Sequence, residues 1–132
     1  MSQENVELVR RNNDAYNRRD VRAYLDTLSE SIRFRSRFSA MDNREYRGHA
    51  DLRRYFVELD EAWQRYEMNI ERLLDAGTKV VGLFRLEAVG RGSGLELEEH
   101  PGVVYTADAG RIAQIDAYPT HAEALEAVGL SD

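Results

Sequence analysis

The chain has no cysteine. Disulfides, thiolate zinc sites and cysteine nucleophiles are therefore excluded. It has one lysine among 18 basic residues, and the other 17 are arginine. We read that bias as the mark of a GC-rich coding background rather than of arginine's fork chemistry. Basic residues are outnumbered by acidic ones and the net charge is −6. A diffuse acidic balance offers no basic face for nucleic acid. No apolar run reaches 18 residues and the N-terminal residues form no apolar signal region. A cytoplasmic protein without membrane contact is expected. Repeats, linkers and low-complexity segments are missing too. With 42% hydrophobic and 32% charged residues the chain is expected to fold rather than stay disordered. Its 132 residues suit one domain, 1–132.

What is present is a β-rich stretch, Lys79 to Pro119, punctuated by Asp75-Ala76-Gly77-Thr78, Gly90-Arg91-Gly92-Ser93-Gly94 and Asp108-Ala109-Gly110. Runs separated by Gly/Asp turns read as an antiparallel meander. The glycines at 90–94 lie between two strands. A phosphate loop needs a strand followed by a helix N-terminus, so this is a hairpin. Pro101-Gly102 interrupts a strand, since proline lacks a donor and glycine often marks a bulge. The final strand is Arg111 to Tyr118.

Upstream, residues 3–18 carry Val6, Val9, Asn13 and Tyr16 on one helical face, with Leu8, Asn12 and Ala15 beside them. Two asparagines near a buried stripe need partners. Asn12 is either at an exposed edge or reaching into a pocket. Asn17 to Asp20 reads as a tight link, with Asp20 capping a short helix through Leu28. Ile32 to Phe38 alternates: Ile32, Phe34, Ser36 and Phe38 on one face, Arg33, Arg35 and Arg37 on the other. The arginine row reads as a solvated strand face rather than an anion site. Leu52, Tyr55, Phe56, Leu59 and Trp63 form a helical stripe. Those aromatics are core candidates, and Phe56 and Trp63 are also candidates for a cavity wall. Tyr66 to Leu73 resumes alternation. Thr120-His121-Ala122-Glu123 is a capping box opening a last helix, closed by Gly129-Leu130. The expected fold class is α+β: a bent antiparallel sheet of the cystatin type packed against N-terminal helices around a conical pocket, the default ligand site.

Tyr16-Asn17-Arg18-Arg19-Asp20, Tyr46-Arg47-Gly48-His49, Asp75-Ala76-Gly77, Arg91-Gly92-Ser93-Gly94, Gly110-Arg111-Ile112 and Ala122 to Leu130, in this order and spacing, resemble the nuclear-transport-factor-2-like superfamily and its SnoaL-like proteins. The resemblance spans nearly the whole chain and implies the fold. It leaves function open, because the superfamily holds isomerases, epoxide hydrolases, polyketide cyclases, dehydratases and non-catalytic binding modules. Ketosteroid isomerases of this superfamily use a tyrosine, a carboxylate base and an aspartate kept neutral by its site. Those positions fall here on Asn12, Ser36 and Gly102. The last-strand carboxylate of the limonene-type epoxide hydrolases falls on Ala117. None of these functional groups is kept.

The remaining candidates are Arg85, Glu87, Glu98 and His100. Arg85 and Glu87 share a strand face and read as a surface ion pair, or Arg85 anchors a ligand carboxylate. His100 is the best titratable group, with Glu98 as its partner. The three histidines, His49, His100 and His121, fall on separate elements, so no metal site or cofactor is expected. His121 reads as surface. The ligand candidates are Asn12, Tyr16, Ser36, Phe56, Trp63, Arg85 and Ala117. Two functions stay open. One is a binding domain for a small apolar or carboxylate-bearing molecule. The other is a cofactor-free isomerase, cyclase, hydrolase or dehydratase using His100. A homodimer is expected through the outer sheet face, with Ile112, Gln114, Asp116 and Tyr118 pointing outward.

Overall fold

In the computed structural model, residues 2–36 and 45–130 are described. Arg37 and Phe38, the end of the alternating run, lie outside the described residues. The elements are α1 (Ser2–Arg18), α2 (Val21–Asp26), β1 (Leu28–Arg35), β2 (Tyr46–Arg47), α3 (Gly48–Ala62), β3 (Trp63–Ala76), β4 (Lys79–Gly90), β5 (Glu96–Glu99), β6 (Gly102–Asp108), β7 (Arg111–Tyr118) and α4 (His121–Ala127).

The caps account for the short elements. Asp20 Oδ1 accepts from the Ala23 amide at 3.1 Å and starts α2. Thr120 Oγ1 accepts from the Glu123 amide at 3.1 Å and starts α4. Leu130 N–H to Leu125 O (2.9 Å) and Gly129 N–H to Glu126 O (3.0 Å) close it as a Schellman motif. Ala109 (φ 52) and Gly110 (φ 79) are both left-handed, which makes the β6–β7 turn a two-residue hairpin.

The strands run in the order β2-β1-β7-β6-β4-β3, with β5 also on β4. The sheet is bent and mixed rather than wholly antiparallel, because β1 pairs β7 in parallel. That pairing is long-range, and strand alternation alone carries no sign of direction. β1 starts at Leu28, earlier than its alternation indicates. Ser29, Glu30 and Ser31 hide its opening turn of pleat. Trp63 is the first residue of β3 rather than the end of the preceding helix. Register shifts between Ile70 and Arg72 in β3 and between Thr106 and Ala107 on β6 mark the bends.

α1, α2 and α3 cover the inner face. On β4 the alternation is strict: Val80, Phe84, Leu86 and Ala88 join the main core, while Val81 and Leu83 face the other way. There α4 covers them with Ala124 and Leu125. Gly102 permits this approach, since a Cβ there would lie 2.4 Å from the Ala124 Cβ. Ile112 corrects an expectation. It is fully buried in the main core, not outward. The register slips between the Thr106–Gln114 and Ala107–Ile112 pairs, so Ile112 and Ile115 face the same side although they are three residues apart.

Candidate functional site

The space between helices and sheet is open enough to hold a cavity of about 220 Å³. That is room for roughly seven waters at liquid density. Among the described residues, eight aromatic side chains line it: Tyr16, Tyr24, Phe34, Tyr46, Tyr55, Trp63, Tyr66 and Tyr105. Six of the seven tyrosines are thus on its wall. Some rings meet edge to face, as Phe34 and Tyr55 do at 4.9 Å, an arrangement favoured by the aromatic quadrupole, and others are tilted, as Trp63 and Tyr66 are at 5.5 Å. Alternation places the sheet residues: Tyr66 and Met68 from β3, Val103 and Tyr105 from β6, Ile115 and Ala117 from β7. Helical spacing places Tyr55, Glu58, Leu59 and Ala62 on one face of α3.

Of the ligand candidates, Asn12, Tyr16, Ser36, Trp63 and Ala117 line the cavity. Phe56 does not. It lies a layer behind, packed on Tyr24 (4.9 Å) and Tyr16 (5.6 Å). Arg85 is on the outer face of β4, because its neighbours Phe84 and Leu86 are fully buried in the core. It lies 3.8 Å from Glu87, a half-exposed pair of little energetic weight. His100 Nε2 lies 3.6 Å from Glu98 Oε2, a loose ion-pair distance rather than a hydrogen bond. Both are more than half exposed and lie outside the cavity. The strand break turns His100 to the outer side while its neighbour Pro101 lines the inside. The Pro101 carbonyl still accepts from the Phe84 amide at 3.0 Å. Of the arginine row, the described Arg33 and Arg35 are exposed. Arg33 meets Glu45 at 2.8 Å, and Arg47 holds the same carboxyl at 3.1 Å. Those bonds keep the Glu45 carboxyl below its usual range.

The polar groups inside are few among the described residues. Asn12 Nδ2 donates to Thr27 Oγ1 at 2.9 Å. Asn13 Nδ2 donates to Met68 O at 3.1 Å. Both asparagines line the cavity, and each spends one amide N–H on the frame. Tyr16 and Tyr55 share one hydrogen bond of 2.7 Å between their hydroxyls. Two phenols joined by one bond leave one O–H proton undonated among the described residues. Burial first, then neighbouring tyrosines, push both phenols well above their ordinary pKa. They stay neutral donors at any physiological pH. Tyr46 donates to Glu58 Oε1 at 2.7 Å.

Glu58, the one carboxylate on the wall among the described residues, was missed by sequence reasoning. Its signal is its place three residues after Tyr55 and one before Leu59, inside the apolar stripe. The cavity tyrosines other than Tyr16 were read only as core or not singled out, because periodicity reports burial and not whether a void lies beyond the ring.

The histidines also differ from expectation. Elements far apart in sequence bring His100 and His121 together, with ring centroids 5.9 Å apart, beside Glu71 of β3.

A model of the SnoaL-like domain family matches residues 9–115. Several solved structures share the fold. An NTF2-like protein of unknown function from Burkholderia pseudomallei has 17% identity and a TM-score of 0.79, over 96% of this chain and 98% of its own. A putative SnoaL-like polyketide cyclase from Jannaschia has 20% identity and a TM-score of 0.78, over 89% and 85%. A hypothetical protein from Catenulispora acidiphila with a ketosteroid isomerase-like fold, solved in complex with trimethylamine, has 13% identity and a TM-score of 0.77, over 94% and 93%. No curated protein sequence matches the chain significantly.

Proposed function

We propose, from the premise that the chain belongs to the SnoaL-like domain family, that its cavity binds a small, largely apolar molecule carrying one hydrogen-bond acceptor. The observation that carries this reading is the buried Tyr16–Tyr55 hydroxyl pair inside an aromatic-walled void. The walls supply apolar contact and the pair has one proton left to donate. A ketone, quinone or phenol of modest size has the matching chemistry. The residues that would meet it are Tyr16, Tyr55, Trp63, Ser36 and Ala117.

The only tryptophan of the chain, Trp63, is on the cavity wall and serves as an internal reporter. Titration with a panel of aryl ketones and phenols is expected to change its emission with saturation, and Tyr55→Phe is expected to weaken binding by about tenfold, the worth of one buried hydrogen bond. An unchanged spectrum at millimolar ligand across the panel, or affinities indifferent to Tyr55→Phe, would sink the proposal.

A catalytic reading draws support from one observation, the Glu58 carboxylate in the same cavity as the phenol pair. In that reading Glu58 takes a proton next to a carbonyl that Tyr16 or Tyr55 polarises. His100 and Glu98, exposed and outside the cavity, are poorly placed to act there. Deuterium exchange at the α-carbon of a bound ketone, followed by NMR, tests it. Exchange no faster than in buffer, or equal in Glu58→Gln, leaves binding alone. The homodimer stays part of the proposal. It would use the outer face near Tyr118 and Asp116, whose buried Oδ1 accepts no hydrogen bond among the described residues. A monomer mass by light scattering at micromolar concentration would remove it.

A further inference from the structure

We propose that Glu71, His100 and His121 form a surface site for a divalent transition-metal ion of the zinc or nickel class, on the opposite side of the sheet from the cavity. One ring nitrogen of each histidine and one oxygen of Glu71 lie within 4.8 Å of one another. The three residues come from three elements: the bulged part of β3, the break between β5 and β6, and the first turn of α4. Two imidazoles and a carboxylate suit a borderline-soft cation and leave further positions for water.

The surroundings fit such a set. His100 stands between two carboxylates, Glu71 at 3.7 Å from Nδ1 and Glu98 at 3.6 Å from Nε2. With Nδ1 on the ion, Nε2–H points to Glu98, the carboxylate partner that orients a ligating histidine. His121 Nε2 is the nitrogen beside Glu71, 3.9 Å from its Oε1, and it also lies 2.9 Å from the Phe84 carbonyl, which can only accept. To ligate through Nε2 the ring must give up that hydrogen bond and carry its proton on Nδ1 instead. Bonds of 2.0–2.1 Å in a tetrahedral set put donor atoms roughly 3.3 Å apart. The cluster must therefore close by up to about 1.5 Å. His100 and Glu71 are about half exposed and free to make that adjustment.

An ion here ties α4 to the sheet, next to Pro101 on the cavity wall. It is a structural clamp and takes no part in the chemistry of the cavity.

The test uses the full, untagged chain after chelator treatment, with zinc, nickel, cobalt and calcium chlorides as probes. Calorimetry is expected to give one equivalent of zinc or nickel at micromolar affinity, with a rise in Tm of several degrees at saturation. Cobalt is expected to give a visible absorption band of a low-coordinate nitrogen–oxygen site. His100→Ala and Glu71→Gln are expected to lose at least tenfold in zinc affinity each while keeping the metal-free Tm. Both residues are exposed, so either variant folds. His121→Ala is a weaker test because it also breaks the bond to Phe84. No zinc or nickel binding below 100 μM overturns the proposal. So does zinc binding that survives the double variant, or a calcium shift equal to that of zinc.

Discussion

Raising the pH from 9 to 12 is expected to unfold this protein in one cooperative step, driven by its tyrosines. Tyr16, Tyr24, Tyr55 and Tyr105 are buried, and burial raises all four phenol pKa values, with neighbouring tyrosines adding to the rise for Tyr16, Tyr55 and Tyr105. In the unfolded chain they ionise near 10. A group whose folded pKa lies above its unfolded one contributes full stability below the unfolded value and loses it as pH climbs from there. Above pH 10 each of the four then costs about 1.4 kcal/mol per pH unit. Together they remove about 6 kcal/mol by pH 11 and about 11 kcal/mol by pH 12. Domains of this size are stable by about 5–15 kcal/mol. The midpoint should therefore fall between about pH 11 and 12. The composition makes the experiment clean. There is one lysine, no cysteine, and arginine does not titrate in this range. Phenolate absorbance at 295 nm and circular dichroism at 222 nm should move together. Seven tyrosines titrating independently near 10, with the dichroism unchanged, would refute the packing described for the cavity wall.

Asn17 grips both polar groups of Met68, donating to its carbonyl at 2.8 Å and accepting from its amide at 2.9 Å. Asn17→Ala should cost about 2–3 kcal/mol in urea unfolding, and a loss under 0.5 kcal/mol would show that the amide pair contributes little. At Gly102 a new Cβ would also meet the Thr120 carbonyl at 3.1 Å, so α4 must lift. Gly102→Ala should lower stability by about 1–3 kcal/mol, and an unchanged Tm would mean that α4 is loosely docked. Asn12→Ala leaves Thr27 without its 2.9 Å donor in a buried site. A loss of about 1–2 kcal/mol is expected, read by the same denaturation.

Local chemistry in the chain determined the elements. Asp20, the Thr120–Glu123 box, Gly129-Leu130 and Ala109-Gly110 each act within a few residues, so their effect is legible without knowing the rest of the fold. The spacing of Val9, Asn12, Asn13 and Tyr16 likewise told which side of α1 is buried. The resemblance carried the family and the meeting of sheet and helices. It did not carry the composition of the site. Only the tertiary structure decided that Tyr16 and Tyr55, 39 residues apart, share a hydrogen bond. The same holds for Glu58 facing inward and His100 facing outward beside His121. It decided the parallel β1–β7 pair and the register slip that buries Ile112 as well. Each depends on bulges and on contacts between distant strands. A one-residue slip reverses the side a strand residue faces, and alternation in the sequence does not record where the slip occurs.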